Sequence, residues 1–296
     1  MSGACVARSW TRRTTIGSPP ARHGASLVHD AARNVTVLHG GRNGTTPVGG
    51  TWEFAGGSGT WSLVSNSGPT SDFSAMAWDP VHHEAVLFGG FQTGGETWTW
   101  NGSTWSQRTP ATTPPERAQH AMAWDPDRQR VVLFGGRSTT SANRRSDLWE
   151  WDGSTWQQRP TSTGPVGLVT TMAYDTARHV LVVFAPQDQL PNHDLWELGS
   201  GTSWLLRSPS SPPSARFGAA VAFDASSSRV VVVGGKPDST TYLADAFATD
   251  GVTWSTLSPS CGERAYAAIT WDSARRKLVV FGGVNSSGPL SDTWEF

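Results

Sequence analysis

The sequence predicts an all-β fold, a single six-bladed propeller with four antiparallel strands per blade, its last blade completed by the N-terminal segment. Three observations carry that prediction. A Gly-Gly signal returns at a near-constant interval. Each copy sits in the same order of strand and turn signals. The two chain ends supply complementary parts of one repeat.

Gly-Gly occurs at Gly40-Gly41, Gly89-Gly90, Gly135-Gly136, Gly234-Gly235 and Gly282-Gly283, with Ala185-Pro186 as a degenerate sixth copy, at spacings of 46 to 50 residues. Each follows a short apolar, β-branched run, such as Val131 to Phe134 or Val230 to Val233. Runs of that length read as buried strands. Ahead of each run an alternating segment ends in Asp30, Asp79, Asp125, Asp175, Asp224 or Asp272. Asp79-Pro80 and Asp125-Pro126 carry type I turn chemistry, so the two strands form a hairpin. After Gly-Gly comes an aromatic third strand around Trp52, Trp98, Trp149, Trp196, Phe247 or Trp294. Asn101-Gly102, Asp152-Gly153 and Asp250-Gly251 then supply the positive φ angles of tight hairpins. Trp61, Trp105, Trp156, Trp204 or Trp254 opens the fourth strand.

A four-stranded sheet with two apolar faces must stack on both sides, which makes a ring of blades. The last repeat stops after its third strand, at Trp294 to Phe296. Trp10 precedes Asp30 by 20 residues, and the fourth-strand Trp precedes its next Asp by 18 to 20 elsewhere. Ser9 to Thr11 is therefore expected to be the missing outer strand, which leaves no open sheet edge. The chain reads as one domain, 1–296, with blades over about 20–66, 67–110, 111–160, 161–209, 210–258, and 259–296 plus 1–19.

Lys plus Arg, 23, nearly equals Asp plus Glu, 24, which argues against a nucleic-acid partner. No apolar run is long enough to span a membrane, and residues 1–13 lack the apolar core of a signal peptide. Cys5 and Cys261 fall on opposite faces of the expected ring, so two free thiols are expected. The compartment stays open, with an extracellular or periplasmic one favoured over the cytoplasm. A monomer is expected.

Gly-Gly after a strand, a Trp about ten residues on and a second Trp after a short turn together resemble the Kelch repeat, across essentially the whole chain. Thr51 to Phe54 and Asp152 to Trp156 look like the Kelch-type repeats of bacterial proteins. The resemblance implies a fold rather than an activity. Kelch propellers include peptide-binding scaffolds, sugar oxidases, a sialic-acid epimerase and iron-dependent enzymes.

The resemblance also implies that ligands bind over the central channel, on the face built by the loops after Gly-Gly and the loops leading into each first strand. Just past Gly-Gly lie Arg42, Phe91, Arg137, Gln187, Lys236 and Val284; at the first-strand starts lie Arg22, Ser71, Arg117, Gly167, Arg216 and Arg264. Seven of these twelve are basic, namely Arg22, Arg42, Arg117, Arg137, Arg216, Lys236 and Arg264. One reading is an anion pocket, because guanidinium forks bind carboxylate and phosphate. The other is that a strand-start Arg bonds neighbouring loop carbonyls and acids.

The leading expectation is a recognition module for an acidic peptide or an anionic small molecule, with no cofactor, although a divalent metal is left open. The alternative is an isomerase, hydrolase or lyase acting on an anionic sugar or ester, with His120 and Tyr266 as acid and base. A third reading is a structural propeller whose partner lies along a blade edge. His29 and His39 replace aromatics of the other repeats and are expected to be a hydrogen-bonded core pair, with metal binding as the lesser reading. No metal site is assigned. Asp125 and Asp127 read as turn chemistry, and the copper-radical and iron-site patterns of Kelch enzymes do not occur.

Overall fold

The computed structural model describes residues 8–162, 164–165, 171–184 and 193–296. Among them, six four-stranded antiparallel sheets are present and no helix. Each sheet runs from an inner strand through a second and third to an outer one. The first blade, for example, orders Ser26–Asp30, Val35–His39, Thr51–Ala55 and Thr60–Ser65. The last blade takes its outer strand from the N-terminus. Thr11–Arg13 pairs with Thr293–Glu295, placing Arg12 opposite Trp294. Trp10 is buried and packs on Phe296 with ring centres 5.1 Å apart.

Six clusters, one per blade interface, make the core. On the inner strand, large residues face one neighbouring blade and small ones face the other. Met122 and Trp124 of blade 3 pack on Ala75 and Ala77 of blade 2, and Met172 and Tyr174 of blade 4 pack on Ala121 and Ala123 of blade 3. The outer-strand Trp of each blade then fills the wider gap behind. Trp61, Trp105 and Trp156 donate their indole N–H to Thr293, Thr51 and Thr97, the first third-strand residues of the preceding blades, at 3.0, 2.7 and 2.9 Å. The matching positions facing Trp204, Trp254 and Trp10 are Leu148, Leu195 and Ala246, and those indole N–H groups are buried without a partner among the described residues.

The Gly-Gly signal has a steric cause. The first Gly of a pair has positive φ, and a Cβ on Gly40, Gly89, Gly234 or Gly282 would overlap the backbone carbonyl oxygen of Ser71, Arg117, Arg264 or Arg22 in the next blade. The second Gly donates its N–H to that same carbonyl, as Gly41 does to Ser71 and Gly283 to Arg22, both at 2.9 Å.

On the opposite face, the turn Asp accepts backbone N–H groups two and three residues on, as Asp125 does from Asp127 and Arg128. Arg33, Arg128, Arg178 and Arg275 each pair with the Asp three residues before them, and His82 does so in blade 2. Blade 5 has Ser227 at this position. There the pairing with Asp224 is made at 2.5 Å by Arg8 from the N-terminal segment, which also donates to the Phe296 carbonyl.

Candidate functional site

A cavity of about 550 Å³ runs down the axis, walled by the inner strands and flanked at one end by Gly24, Phe73, Gln119, Gly218 and Tyr266. These five residues occupy one register, six before the turn Asp, in blades 1, 2, 3, 5 and 6. All five have positive φ, between 52° and 66°. Glycine adopts that conformation freely, whereas Phe and Tyr do so only when the surroundings impose it.

The imposing element is a hoop of backbone hydrogen bonds. Gly24 donates its N–H to the Tyr266 carbonyl, Phe73 to Gly24, Gln119 to Phe73 and Tyr266 to Gly218, at 2.7 to 2.9 Å. The hoop turns these side chains over the mouth. Phe73 and Tyr266 meet edge to face, 5.4 Å apart, and His23 lies against both rings. Phe73 also meets Phe91, and Phe91 carries two guanidiniums. Arg137 sits 4.8 Å from its ring centre and Arg42 sits 5.8 Å from it.

The seven basic residues do not form one pocket. The expectation that Arg22, Arg117, Arg216 and Arg264 bind ligand at the mouth is corrected, because their exposures are 1%, 0%, 0% and 2%. Each donates to the carbonyl of its own blade's first Gly: Arg22 to Gly40, Arg117 to Gly135, Arg216 to Gly234 and Arg264 to Gly282. Three of them also grip an acid, Asp147, Asp245 or Asp292, with both terminal nitrogens. In blade 2, Ser71 makes the equivalent bond to Gly89. A guanidinium in the protein interior needs such partners, since an uncompensated buried charge is costly. Arg22 has none of the three acids, and burial lowers its pKa to about 10.

Lys236 is also buried. Its Nζ donates to the Ser239 carbonyl at 2.7 Å and lies 4.3 Å from the Tyr242 ring centre. Arg42 is half-buried and paired with the buried Asp72. Arg137 is half-buried and has no carboxylate partner among the described residues.

The two acid–base candidates part company. Tyr266 is at the mouth, and burial pushes its pKa up to about 12, with Tyr242 adding to the rise and Arg137 opposing it. His120 packs on Phe88 with ring centres 5.6 Å apart, and both its ring nitrogens are buried without a hydrogen-bond partner. Burial lowers its pKa to about 3, so it is neutral at ordinary pH. His120 borders the axial cavity with 5% of its surface exposed, and its ring packs toward Phe88 rather than among the aromatics of the mouth.

The proposed His29–His39 pair is corrected as well. His29 lies opposite Thr36 and His39 opposite Ser26, at different ends of the hairpin. His39 has a complete network of its own. Trp105 donates to the Thr51 hydroxyl, that hydroxyl donates to His39 Nδ1 at 3.0 Å, and Nε2 donates to the Pro69 carbonyl at 2.7 Å. Among the described residues no three His, Cys, Asp or Glu groups converge as a metal site would require. Cys261 is a buried free thiol; Cys5, Gly167, Gln187 and the degenerate Ala185-Pro186 lie outside the described residues.

Sequence reasoning missed Phe73. Gly24 and Gly218 marked its register as one that needs positive φ, so an aromatic in the same register was a visible departure.

These features define a six-bladed β-propeller with an aromatic mouth holding one guanidinium free of any described acid. Comparison with solved structures agrees on the fold. The structure described as "Structure of YjhT" matches with a TM-score of 0.75 at 12% sequence identity, covering 94% of this chain and 96% of that one. No family model and no curated protein matches the sequence.

Proposed function

We propose that the chain is a Kelch-type recognition propeller that binds a small anionic ligand at the Gly-Gly mouth through Arg137, with Arg42 beside it. The observation that carries the reading is the guanidinium of half-buried Arg137, 4.8 Å from the Phe91 ring centre with no acid among the described residues to satisfy it. A guanidinium over an aromatic ring still has N–H donors to offer a carboxylate. An acidic peptide is the weaker partner. A run of acids needs a run of counter-charges, and four of the seven basic residues are committed inside the blades. The isomerase or hydrolase alternative is the weaker reading, because His120 is 5% exposed and its ring packs against Phe88.

Calorimetric titration with acetate, phosphate and a polyglutamate peptide tests the proposal. Saturable acetate binding that weakens about tenfold or more in Arg137→Ala is expected, since a charge-assisted pair contributes on that scale. Equal affinity in wild type and Arg137→Ala would end it.

A further inference from the structure

We propose that the ligand is a compact, planar aromatic monocarboxylate, and that Gly24 and Gly218 are positioning residues for the wall that selects it. This inference rests on the anion reading above and goes beyond it in naming the rest of the ligand.

Charge sets the carboxylate count. Arg42 is offset by Asp72, and burial together with the nearby Arg42 guanidinium keeps the pKa of His23 below its ordinary value, leaving Arg137 as the uncompensated cation of this side of the mouth among the described residues. One guanidinium edge matches one carboxylate.

Shape sets the remainder. The half-buried Phe73 and Tyr266 rings form a wall beside the stacked Arg137–Phe91 pair. Flat rings gain from offset or edge-to-face contacts that saturated groups of equal size do not make. The apolar part must also be short. Each inner strand pairs with only one neighbour, so its other edge presents backbone N–H and C=O groups to the axial cavity. Water or polar groups suit that wall, and a long apolar tail threaded down it would strand those groups unpaired. The apolar face is therefore confined to the aromatic mouth.

The wall is held by two absences of a side chain. A Cβ on Gly24 would lie 3.0 Å from the Phe73 ring carbons, and one on Gly218 would lie 2.7 Å from the Tyr266 ring. Each ring of one blade thus lies in the space that the preceding blade's glycine leaves open. Ala at either position would displace the ring and strain a backbone at φ +62° or +66°.

The test compares benzoate, cyclohexanecarboxylate, acetate and the neutral benzamide by calorimetry on the full chain. Benzoate is expected to bind about tenfold more tightly than the other two carboxylates, and benzamide is expected not to bind. Gly218→Ala and Phe73→Leu should each bring the benzoate-to-acetate ratio to about two or less; Phe73→Leu serves if the glycine variant does not fold. If all three carboxylates bind alike in the wild type, or if the ratio survives both variants, the aromatic inference is overturned and the anion reading stands. Absence of any carboxylate binding, or benzamide binding as well as benzoate, overturns both.

Discussion

The two halves of the ring solve one packing problem differently. At the interfaces between blades 6 and 1, 1 and 2, and 2 and 3, the outer-strand indole N–H finds a Thr hydroxyl on the neighbouring blade. At the other three interfaces the same indole faces Leu148, Leu195 or Ala246, and its N–H is left buried without a described partner. Both halves close into equivalent four-stranded blades. The burial of the Trp ring therefore carries the interface, and the hydrogen bond is a secondary gain of the order of 1 kcal/mol. The half with satisfied indoles also contributes Arg137, Arg42, Phe73 and Phe91 to the mouth.

The largest expected effect tests what the halves share. Arg117→Ala in one half and Arg216→Ala in the other should each cost about 3 kcal/mol by chemical denaturation, because each leaves loop carbonyls and an Asp without their partner. A loss below about 1 kcal/mol in either would return that side chain to the surface and reopen the seven-residue anion pocket.

A second experiment sharpens the difference. Blade 2 is wedged between two histidines held neutral by burial, His39 against Trp105 with a pKa lowered to about 4 and His120 against Phe88 with a pKa lowered to about 3. Below about pH 6.5 the unfolded chain takes up a proton on each and the folded chain does not. Stability is therefore full above that pH and is lost as pH falls toward the folded values. At pH 5 the loss is about 2 kcal/mol per histidine. Urea melts at pH 7.5 and 5.0 measure it, and amide exchange should quicken first on either side of blade 2. Equal acid sensitivity around the whole ring would contradict this assignment.

The smallest effect swaps the two solutions. Ala246→Thr gives Trp10 an acceptor and should gain about 1 kcal/mol, and Thr97→Val takes one from Trp156 and should lose about as much or slightly more. Thermal melts of the two variants against wild type decide it. Shifts of the same sign would mean that the hydroxyl is not the deciding group.

The fold was legible because its signals repeat. Four blades show a Gly where the next blade's carbonyl arrives, and every repeat carries a Trp where the inter-blade gap widens, so period and register could be counted without a structure. That same repetition misdirected the reading of the site. A basic residue in one register of four blades resembled a convergent pocket, yet each of those arginines reaches the first Gly of its own blade, 18 residues on. What recurs in every blade serves the blade. The mouth is distinguished by what does not recur: Phe73, Gln119 and Tyr266 where other blades carry Gly24 or Gly218, and Arg137 without a described acid. A polar residue at a strand start gives no sign in sequence of which way its ring turns, and the His120 ring packs against Phe88 of the neighbouring blade.

The described amide links brace the rim across blades 5, 6, 1, 2 and 3. Each described link ties one blade's backbone to the next at 2.7 to 2.9 Å, so these five blades cannot part at the rim without breaking a bond. A guest too wide for the rim gains nothing from local breathing. Along this arc the spacing of the rim follows from the blades, and the rim side chains are left free to vary the chemistry without altering it.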